Sequence, residues 1–401
     1  MAMLIRATLP TLLLAQVFSP SLLQAQEKPI LTWQGEIRPR FESREPLLGG
    51  WAHVMSMRTR IGLRVEMEGG LALFFQPQDV RFWGEETDVR DRSADAIDFH
   101  QAYLEVGNLP GIGGKIRAGR QEVAIGESRL MGAPDWGQAG QTFDGARWFR
   151  PVGDHRLELT YLQIREDFAP AHDYDETFLA ASYLVPLREG ESAEVYAVHD
   201  RNSEPEVTRQ TSLSGIWKKD TDAFTLRLQG IYQLGERKGS DVEAYLLAAS
   251  GGLKVLDGRG MVTLWYDRLS GDDNPEDDIV RVFSTLYGAR NRYYGRADYF
   301  LFIPAQTNGL GLQDAAFKLA YSPRPTLSMN LDLHAFRTSA DGEVSSRRLG
   351  EEADAWVRVL FRRYLTVQAG YSLTWAGPAM EELGILEGTG NFGYLMTSLK
   401  F

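Results

Sequence analysis

The sequence contains no cysteine, no long apolar run and no excess of basic residues. Without cysteine, the chain cannot form a disulfide framework, a thiolate metal site or a cysteine nucleophile. No stretch of about 18 consecutive apolar residues occurs, which excludes a transmembrane helix. The formal charge of −11 argues against nucleic-acid binding, because proteins that bind nucleic acids usually carry a basic face. Among the 43 Lys+Arg residues, 8 are Lys and the other 35 are Arg.

The first 25 residues have the layout of a secretory signal. Arg6 supplies a single cation, an apolar stretch covers residues 9–18, and a polar segment ends at Ala25. We expect cleavage after Ala25, which leaves a mature chain of residues 26–401 that works outside the cytoplasm. The alternative is a short buried helix.

The rest of the chain alternates between apolar and polar residues. Residues 54–68 read VMSMRTRIGLRVEME, in which Ile61 and Leu63 share one parity and Arg58 and Arg60 the other. Successive side chains of a strand point to opposite faces, so such a segment predicts a long strand with one apolar and one charged face. A helix would instead repeat its apolar residues at intervals of three and four.

Connections of two lengths alternate between these segments. The short ones fall at 68–70, 107–114, 151–154, 188–191, 218–222, 256–258, 322–325 and 362–363. The longer, more polar ones fall at 43–53, 83–96, 124–141, 166–176, 202–209, 234–240, 270–311, 339–350 and 376–390. Eight short turns and nine loops predict an all-β fold, a single 18-stranded antiparallel transmembrane β-barrel with short periplasmic turns and long extracellular loops. The alternative is a soluble β-sandwich or lectin-like fold.

The last segment, residues 391–401, reads NFGYLMTSLKF and ends on an aromatic residue. Phe401, Leu399 and Leu395 share one face of this segment. The barrel assembly machinery recognises outer-membrane proteins by this pattern. We therefore interpret Phe401 as an assembly signal.

Several blocks resemble the alginate-export family of outer-membrane proteins. The most specific are GRQEVAIGESRLMGAPDWGQAGQTFDGARW at 119–148 and LGEEADAWVRVLFRRYLTVQAGYSLTW at 349–375; YYGRADYF at 293–300 and LQDAAFKLAYSP at 312–323 also match. The resemblance implies an 18-stranded barrel, and the best-known member passes the polyuronate alginate through an arginine-lined pore. This chain is shorter than that exporter and has Asn291 where relatives often carry His.

Arginines lie on the polar parity of the predicted strands. That parity faces the lumen, because a charge on the lipid face costs about 2–4 kcal/mol at mid-membrane. A guanidinium matches carboxylates in geometry, so these residues are candidate anion-binding residues of the pore. The alternative is that arginine–glutamate ladders only hold the lumen wall together. The candidates are Arg38, Arg40, Arg58, Arg60, Arg64, Arg227 and Arg358.

A second group of candidates flanks the long loop at 124–141, whose glycines allow tight folding. If this loop folds into the lumen, it narrows the pore and places Arg120, Arg129, Asp144 and Arg147 at the constriction. The alternative is a salt-bridge network that anchors the loop. Strict alternation would put Arg120 beside Ala118 on the other face, unless a bulge intervenes.

Other functions find little support in the sequence. Asp272, Asp273 and Asp277 could hold calcium, but they lack the spacing of a defined calcium loop, so a solvated loop is expected. The six histidines form no pair at i and i+4, and no G-x-S-x-G motif occurs. We therefore expect no enzyme, although a barrel hydrolase with a scattered triad stays open.

The sequence thus predicts a multi-pass channel in the outer membrane of a Gram-negative bacterium. Its expected cargo is an anionic polysaccharide or small anionic solutes, and a general or uptake porin is the alternative. The expected partners are outer-membrane lipid and lipopolysaccharide, the barrel assembly machinery and, for a polymer exporter, a periplasmic scaffold. No nucleic-acid partner is expected, and no cofactor beyond the calcium candidate.

Overall fold

The computed structural model describes residues 28–45, 51–84, 97–166, 175–203 and 207–401. The predicted signal segment at 1–25 lies outside these residues. The described chain forms one antiparallel sheet whose first and last long strands pair, with Ile37 opposite Leu399. The sheet is therefore a closed barrel of 18 strands, as the sequence predicts.

The strands, labelled β1 to β18 in chain order, are Ile30–Arg44, Ala52–Met67, Leu71–Phe82, Asp98–Val106, Lys115–Gln121, Phe143–Val152, His155–Arg165, Glu176–Arg188, Glu191–Asn202, Thr208–Asp220, Phe224–Arg237, Ser240–Val255, Gly260–Leu269, Leu312–Arg324, Leu327–Arg337, Arg348–Phe361, Leu365–Ala376 and Thr389–Lys400. A two-residue strand, Ile279–Val280, pairs in parallel with β12 from within a loop. The helical segments are short: 3₁₀ turns at Glu68–Gly70, Arg290–Arg292 and Ala305–Thr307, and one α-helix, α1, at Pro378–Glu382. Among the described residues, no helix is long and apolar enough to cross a membrane.

The two faces of each strand differ in polarity and in exposure. On β1, Trp33 is 62% exposed on the outer face, as is Ile37 at 39%, whereas Glu36, Arg38 and Arg40 are buried on the inner face. An apolar outer face suits lipid, in which every charged side chain is costly. The polar parity therefore faces the lumen.

The connections follow the predicted order with one exception. The link predicted at 234–240 as a longer loop is a two-residue turn, because β11 continues to Arg237 and β12 begins at Ser240. Lys238 and Gly239 both have positive φ, 56° and 85°. Two positive-φ residues are what the tight hairpin turn that matches strand twist requires.

Two long loops fold into the barrel. We call residues 122–142 the first inserted loop and residues 270–311 the second inserted loop. They meet inside the lumen, where the Gly132 N–H donates to the Tyr287 carbonyl over 3.1 Å and the Tyr287 N–H to the Leu130 carbonyl over 2.9 Å. Met131 and Phe283 of the two loops are fully buried, and together with inner-face strand residues such as Phe178 they form the core. The inserted loops, rather than the strands alone, therefore set the shape of the lumen.

Candidate functional site

Four of the predicted arginines lie side by side on the inner face of β1 and β2. We call Arg38, Arg40, Arg58 and Arg60 the basic wall. Arg38 and Arg58 are direct partners in the strand register. All four residues are between 0% and 6% exposed, so they do not form an open patch on the lumen surface.

The basic wall is covered by the backbone of the first inserted loop. Arg38 donates to the carbonyl oxygens of Asp135 and Gly137 over 2.5 and 2.7 Å. Arg40 donates to the carbonyl of Trp136 over 2.6 Å, and Arg60 to that of residue 139 over 3.0 Å. Charge-assisted hydrogen bonds of this kind are worth about 1.5–3 kcal/mol each. The arginines thus hold the loop through hydrogen bonds to its uncharged carbonyl oxygens.

Carboxylates also reach the basic wall. Asp135 lies 2.7 Å from Arg58, 3.4 Å from Arg60 and 3.5 Å from Arg38. Burial favours a higher pKa for Asp135, but the hydrogen bond and charge of Arg58 and the charges of its neighbours outweigh burial and lower the pKa. One carboxylate is therefore shared by three guanidinium groups. Two further ion pairs, Arg58–Glu36 and Arg40–Glu42, complete the wall.

A second set of charges, which is not among the residues predicted from the sequence, lines the inner face of β13 to β16. We call Asp267, Asp314, Glu352 and Asp354 the acidic wall; each is at most 1% exposed. His334 lies among them, with its Nδ1 2.9 Å from an oxygen of Asp314. The signal was present in the sequence, because Glu352 and Asp354 share the parity of the predicted lumen residue Arg358.

The second inserted loop docks onto the acidic wall through its backbone N–H groups. The N–H of Ala297 donates to Glu352 Oε1 over 3.0 Å, and that of Arg296 to Asp354 Oδ2 over 3.1 Å. Gly295 precedes them at a φ of +82°, and a Cβ there would lie 2.3 Å from Glu352 Oε1. The close approach of the loop to the wall therefore requires glycine at this position.

Arg129 joins the two loops to the acidic wall. It belongs to the first inserted loop, and its guanidinium lies 2.6 Å from Asp267 and donates to Tyr294 Oη over 2.8 Å. It also lies 3.5 Å from the centroid of the Tyr293 ring. Burial favours a lower pKa for Arg129, but Asp267 and the two tyrosines outweigh burial and raise it. Arg129 is therefore a buried structural residue that links the loops to Asp267, and it is not accessible to solutes.

Two cavities lie between the loops and meet at Trp136. The outer cavity, about 490 Å³, also contacts Phe82 and Phe302 near the loop end of the barrel. The inner cavity, about 320 Å³, contacts Arg292 and Arg296. The residues common to both linings are Pro134, Trp136, Asn291 and Asp298. Trp136 Nε1 donates to Asp298 Oδ2 over 3.1 Å, so this contact links the two loops where the cavities meet.

Four other predicted pore residues lie on the lumen side. Arg64 lies 2.7 Å from both Glu66 and Glu105, and Arg147 lies 2.6 Å from Glu158. These contacts are arginine–glutamate pairs of the kind that the structural alternative expects. Arg227 lies 3.4 Å from Glu127 of the first inserted loop, and Arg358 is exposed on the lumen parity of β16.

Arg120 and Asp144 are not brought to the lumen, contrary to the expectation that they lie at the constriction. The register from β4 to β6 runs without a bulge at Arg120, so alternation turns its side chain to the outer face with that of Ala118. Arg120 lies 2.8 Å from Asp144 and 3.3 Å from Asp98. This outward pair sits at the loop end of short strands.

The acidic outer segment of the second inserted loop is tied into its own turns. Asp272 Oδ1 accepts the N–H of Asn274 over 3.0 Å, and Asp277 lies 2.9 Å from Arg281. Asp273 is exposed. Within the described ranges, no group of three or more ligating side chains is arranged to hold a metal ion.

A closed 18-stranded barrel with an apolar outer face, a charged inner face and inserted loops defines a channel of the outer-membrane type. The family model for alginate export matches residues 31–389. The chain therefore belongs to the alginate export family. No curated protein matched the chain.

Solved structures of outer-membrane channels share the fold. OpdO of Pseudomonas aeruginosa is 14% identical, with a TM-score of 0.67 over 92% of this chain and 97% of that chain. OpdK of the same organism, solved with vanillate, is 12% identical, with a TM-score of 0.63 over 92% and 98%. OccAB4 of Acinetobacter baumannii is 10% identical, with a TM-score of 0.65 over 94% and 98%.

Proposed function

We propose that this outer-membrane channel passes small anionic solutes. The observation that carries the proposal is the basic wall, where four guanidinium groups lie together on the lumen side of β1 and β2. Asp135 is shared by Arg38, Arg58 and Arg60, and Arg58 also pairs with Glu36. Many of the other hydrogen bonds of the basic wall go to neutral carbonyl oxygens. A neutral acceptor satisfies the donors of a guanidinium but leaves its positive charge in place.

The size of the lumen supports small solutes over a polymer. The two cavities at Trp136 have volumes of about 320 and 490 Å³, and pockets of about 300–1,000 Å³ suit single small molecules. OpdK, which shares the fold, was solved with vanillate, a small carboxylate. Family membership supports the second candidate, an anionic polysaccharide, whose passage would require both loops to leave the lumen.

The test is ion selectivity in planar bilayers. Under a KCl gradient at low ionic strength, we expect a reversal potential that shows preference for chloride over potassium. The preference should shrink in 1 M salt, where the Debye length falls to about 3 Å. A cation-selective or unselective wild-type channel would contradict the proposal. Block of the current by polyuronate oligomers at lower concentration than by single-ring carboxylates would favour the polysaccharide.

A further inference from the structure

We propose that Arg296 and Arg292 form a binding site for a compact monocarboxylate in the inner cavity. The site rests on the proposed function, because it names the class of anion and the residues that select it. The basic wall that the sequence predicts as the anion site is covered by a loop. The site proposed here lies beside that wall, on the second inserted loop, and Trp136 stands between the two, 3.9 Å from the Arg40 guanidinium carbon and 5.5 Å from that of Arg296.

Arg296 differs from the basic wall in what its guanidinium contacts. Its guanidinium carbon lies 3.7 Å from the centroid of the Trp356 ring and 5.5 Å from that of Trp136. In the part of the chain that the structure describes, this guanidinium makes no hydrogen bond and no ion pair. Its N–H groups are therefore available to a ligand.

The contacts of Arg296 also set how a ligand would bind. A guanidinium is planar, its faces stack on aromatic rings, and its donors point outward in the plane. Trp356 covers one face of Arg296, so binding takes place at the edge. Two parallel N–H groups at that edge match the two oxygens of one carboxylate.

The backbone under Arg296 is fixed before any ligand arrives. The backbone N–H of Arg296 donates to Asp354 over 3.1 Å, and the backbone N–H of Ala297 donates to Glu352 over 3.0 Å. Ordering a loop on binding would reduce affinity, and a preformed site avoids that cost. The acidic wall therefore positions the arginine, although it carries the opposite charge to the site.

A second cation stands beside the same cavity. The Arg292 side chain is 60% exposed, and the carboxylate of Glu127 lies 4.0 Å from it. Both arginines line the inner cavity of about 320 Å³. An anion that enters the cavity thus meets two guanidinium groups on one loop.

The rest of the lining restricts the ligand to one charge. Ala133, Pro134 and Ala289 give the cavity an apolar part that suits a compact organic body. Asp135 and Asp298 line the same cavity and would repel a second carboxylate. A monocarboxylate therefore fits better than a dicarboxylate of the same size.

The experiment uses the full-length channel in planar bilayers, with benzoate and terephthalate as probes because they share one ring and differ by one carboxylate. Wild-type current in KCl should be blocked by benzoate at a lower concentration than by terephthalate. Arg296→Gln should raise the blocking concentration of benzoate about tenfold or more. Arg296→Lys should keep chloride selectivity but lose most of the block, because an ammonium lacks the planar fork.

The matched control is Arg281→Gln, which removes the same charge from the same loop at a half-buried pair with Asp277. It should be blocked like the wild type. If both Arg296 variants are also blocked like the wild type while chloride selectivity persists, the site is wrong and the proposed function stands. An unselective wild-type channel refutes the proposed function itself. Heat modifiability checks assembly, and Arg296→Lys decides the outcome if Arg296→Gln does not assemble.

Discussion

The guanidinium groups of the lumen serve two separate purposes. Arg38 and Arg40 direct their donors at backbone carbonyls of the first inserted loop and are almost fully covered by it. Arg296 is carried by a loop and stacks on Trp356, with its edge towards a cavity. Residue type alone does not separate these cases. The difference is whether the N–H donors of the guanidinium already have acceptors within the protein.

Asp298 makes the lumen sensitive to pH. Burial raises the pKa of Asp298 to about 6. The groups that face it are Arg44 and Arg40 of β1, Trp136 of the first inserted loop and Arg296 of its own loop, and all four favour its charged form. Because the carboxylate is mostly protonated below that pKa, lowering the pH from 7 to 5 removes a negative charge from both cavities.

We therefore expect chloride selectivity to rise as the pH falls through about 6. Asp298→Asn should show the high selectivity at both pH values, since its side chain stays neutral. Asp341→Asn, at an exposed loop position, serves as the control and should keep the wild-type response. Reversal potentials at pH 5 and 7 measure the effect. A pH response in Asp298→Asn as large as in the wild type would contradict this assignment.

The residue-level roles were only partly predictable. Period-two alternation suffices to turn Arg38 and Arg58 towards the lumen, because it is a local property of a strand. Their hydrogen-bond partners in the first inserted loop lie 80 to 100 positions away along the chain, and no local pattern shows that contact. Arg296 stands within the YYGRADYF block, but its exposure depends on how the preceding glycine meets Glu352.

At the scale of elements, the two inserted loops dock by opposite backbone groups. The first presents carbonyl oxygens to arginines, and the second presents N–H groups to Glu352 and Asp354. The basic wall therefore binds backbone carbonyl groups, and the acidic wall binds backbone N–H groups. The loops also bond to each other through Tyr287, so release of one should loosen the other.

Gly295→Ala tests the docking of the second loop. The new Cβ would meet Glu352 Oε1 at 2.3 Å on a backbone with φ +82°, and overpacking of this kind costs about 1–3 kcal/mol. We expect a larger and noisier single-channel conductance as the loop leaves the wall. Gly309→Ala, in the same loop at φ +78° with its nearest atom at 3.5 Å, carries similar backbone strain without the clash. Equal conductance in the two variants would count against the docking model.

The elements themselves follow from the sequence to a large extent. Strand positions and short turns agree with the alternation, because lipid outside and water inside impose it on every strand. The prediction of a longer loop at 234–240 was wrong, because Lys238 and Gly239 allow a tight turn within this polar segment. The insertion of residues 122–142 was anticipated as one of two alternatives, whereas the acidic wall that receives the other loop was missed.

At the scale of the whole molecule, the barrel closes between its first strand and its last residues. The Gly35 N–H donates to the Phe401 carbonyl over 2.8 Å, and the Phe401 N–H donates back over 3.1 Å. A Cβ on Gly35 would lie 2.2 Å from the Phe401 ring, so the ring rests on the glycine backbone. The final residue thus extends the closing seam beyond the end of β18.

Deleting Phe401 should reduce the amount of assembled barrel. The deletion removes the two hydrogen bonds between Phe401 and Gly35 and the ring over Gly35, and an unpaired edge cannot persist in lipid. We expect a smaller heat-modifiable fraction on gels of outer-membrane preparations. Phe401→Tyr keeps the ring and the backbone bonds and serves as the control. An undiminished heat-modifiable fraction in the deletion variant would show that Phe401 is dispensable for assembly.

Both inserted loops are held by backbone hydrogen bonds, and this affects how the sequences of related channels can diverge. Carbonyl and N–H groups are present whatever the side chain, proline apart. Mutations that exchange the cavity-facing side chains of Ala133, Asn291 or Arg292 therefore remove none of these backbone hydrogen bonds. Asp135 and Trp136 differ, because their side chains also anchor the first inserted loop. Single substitutions at the first three positions can therefore change which solute the channel passes, while the backbone hydrogen bonds that hold the loops are kept.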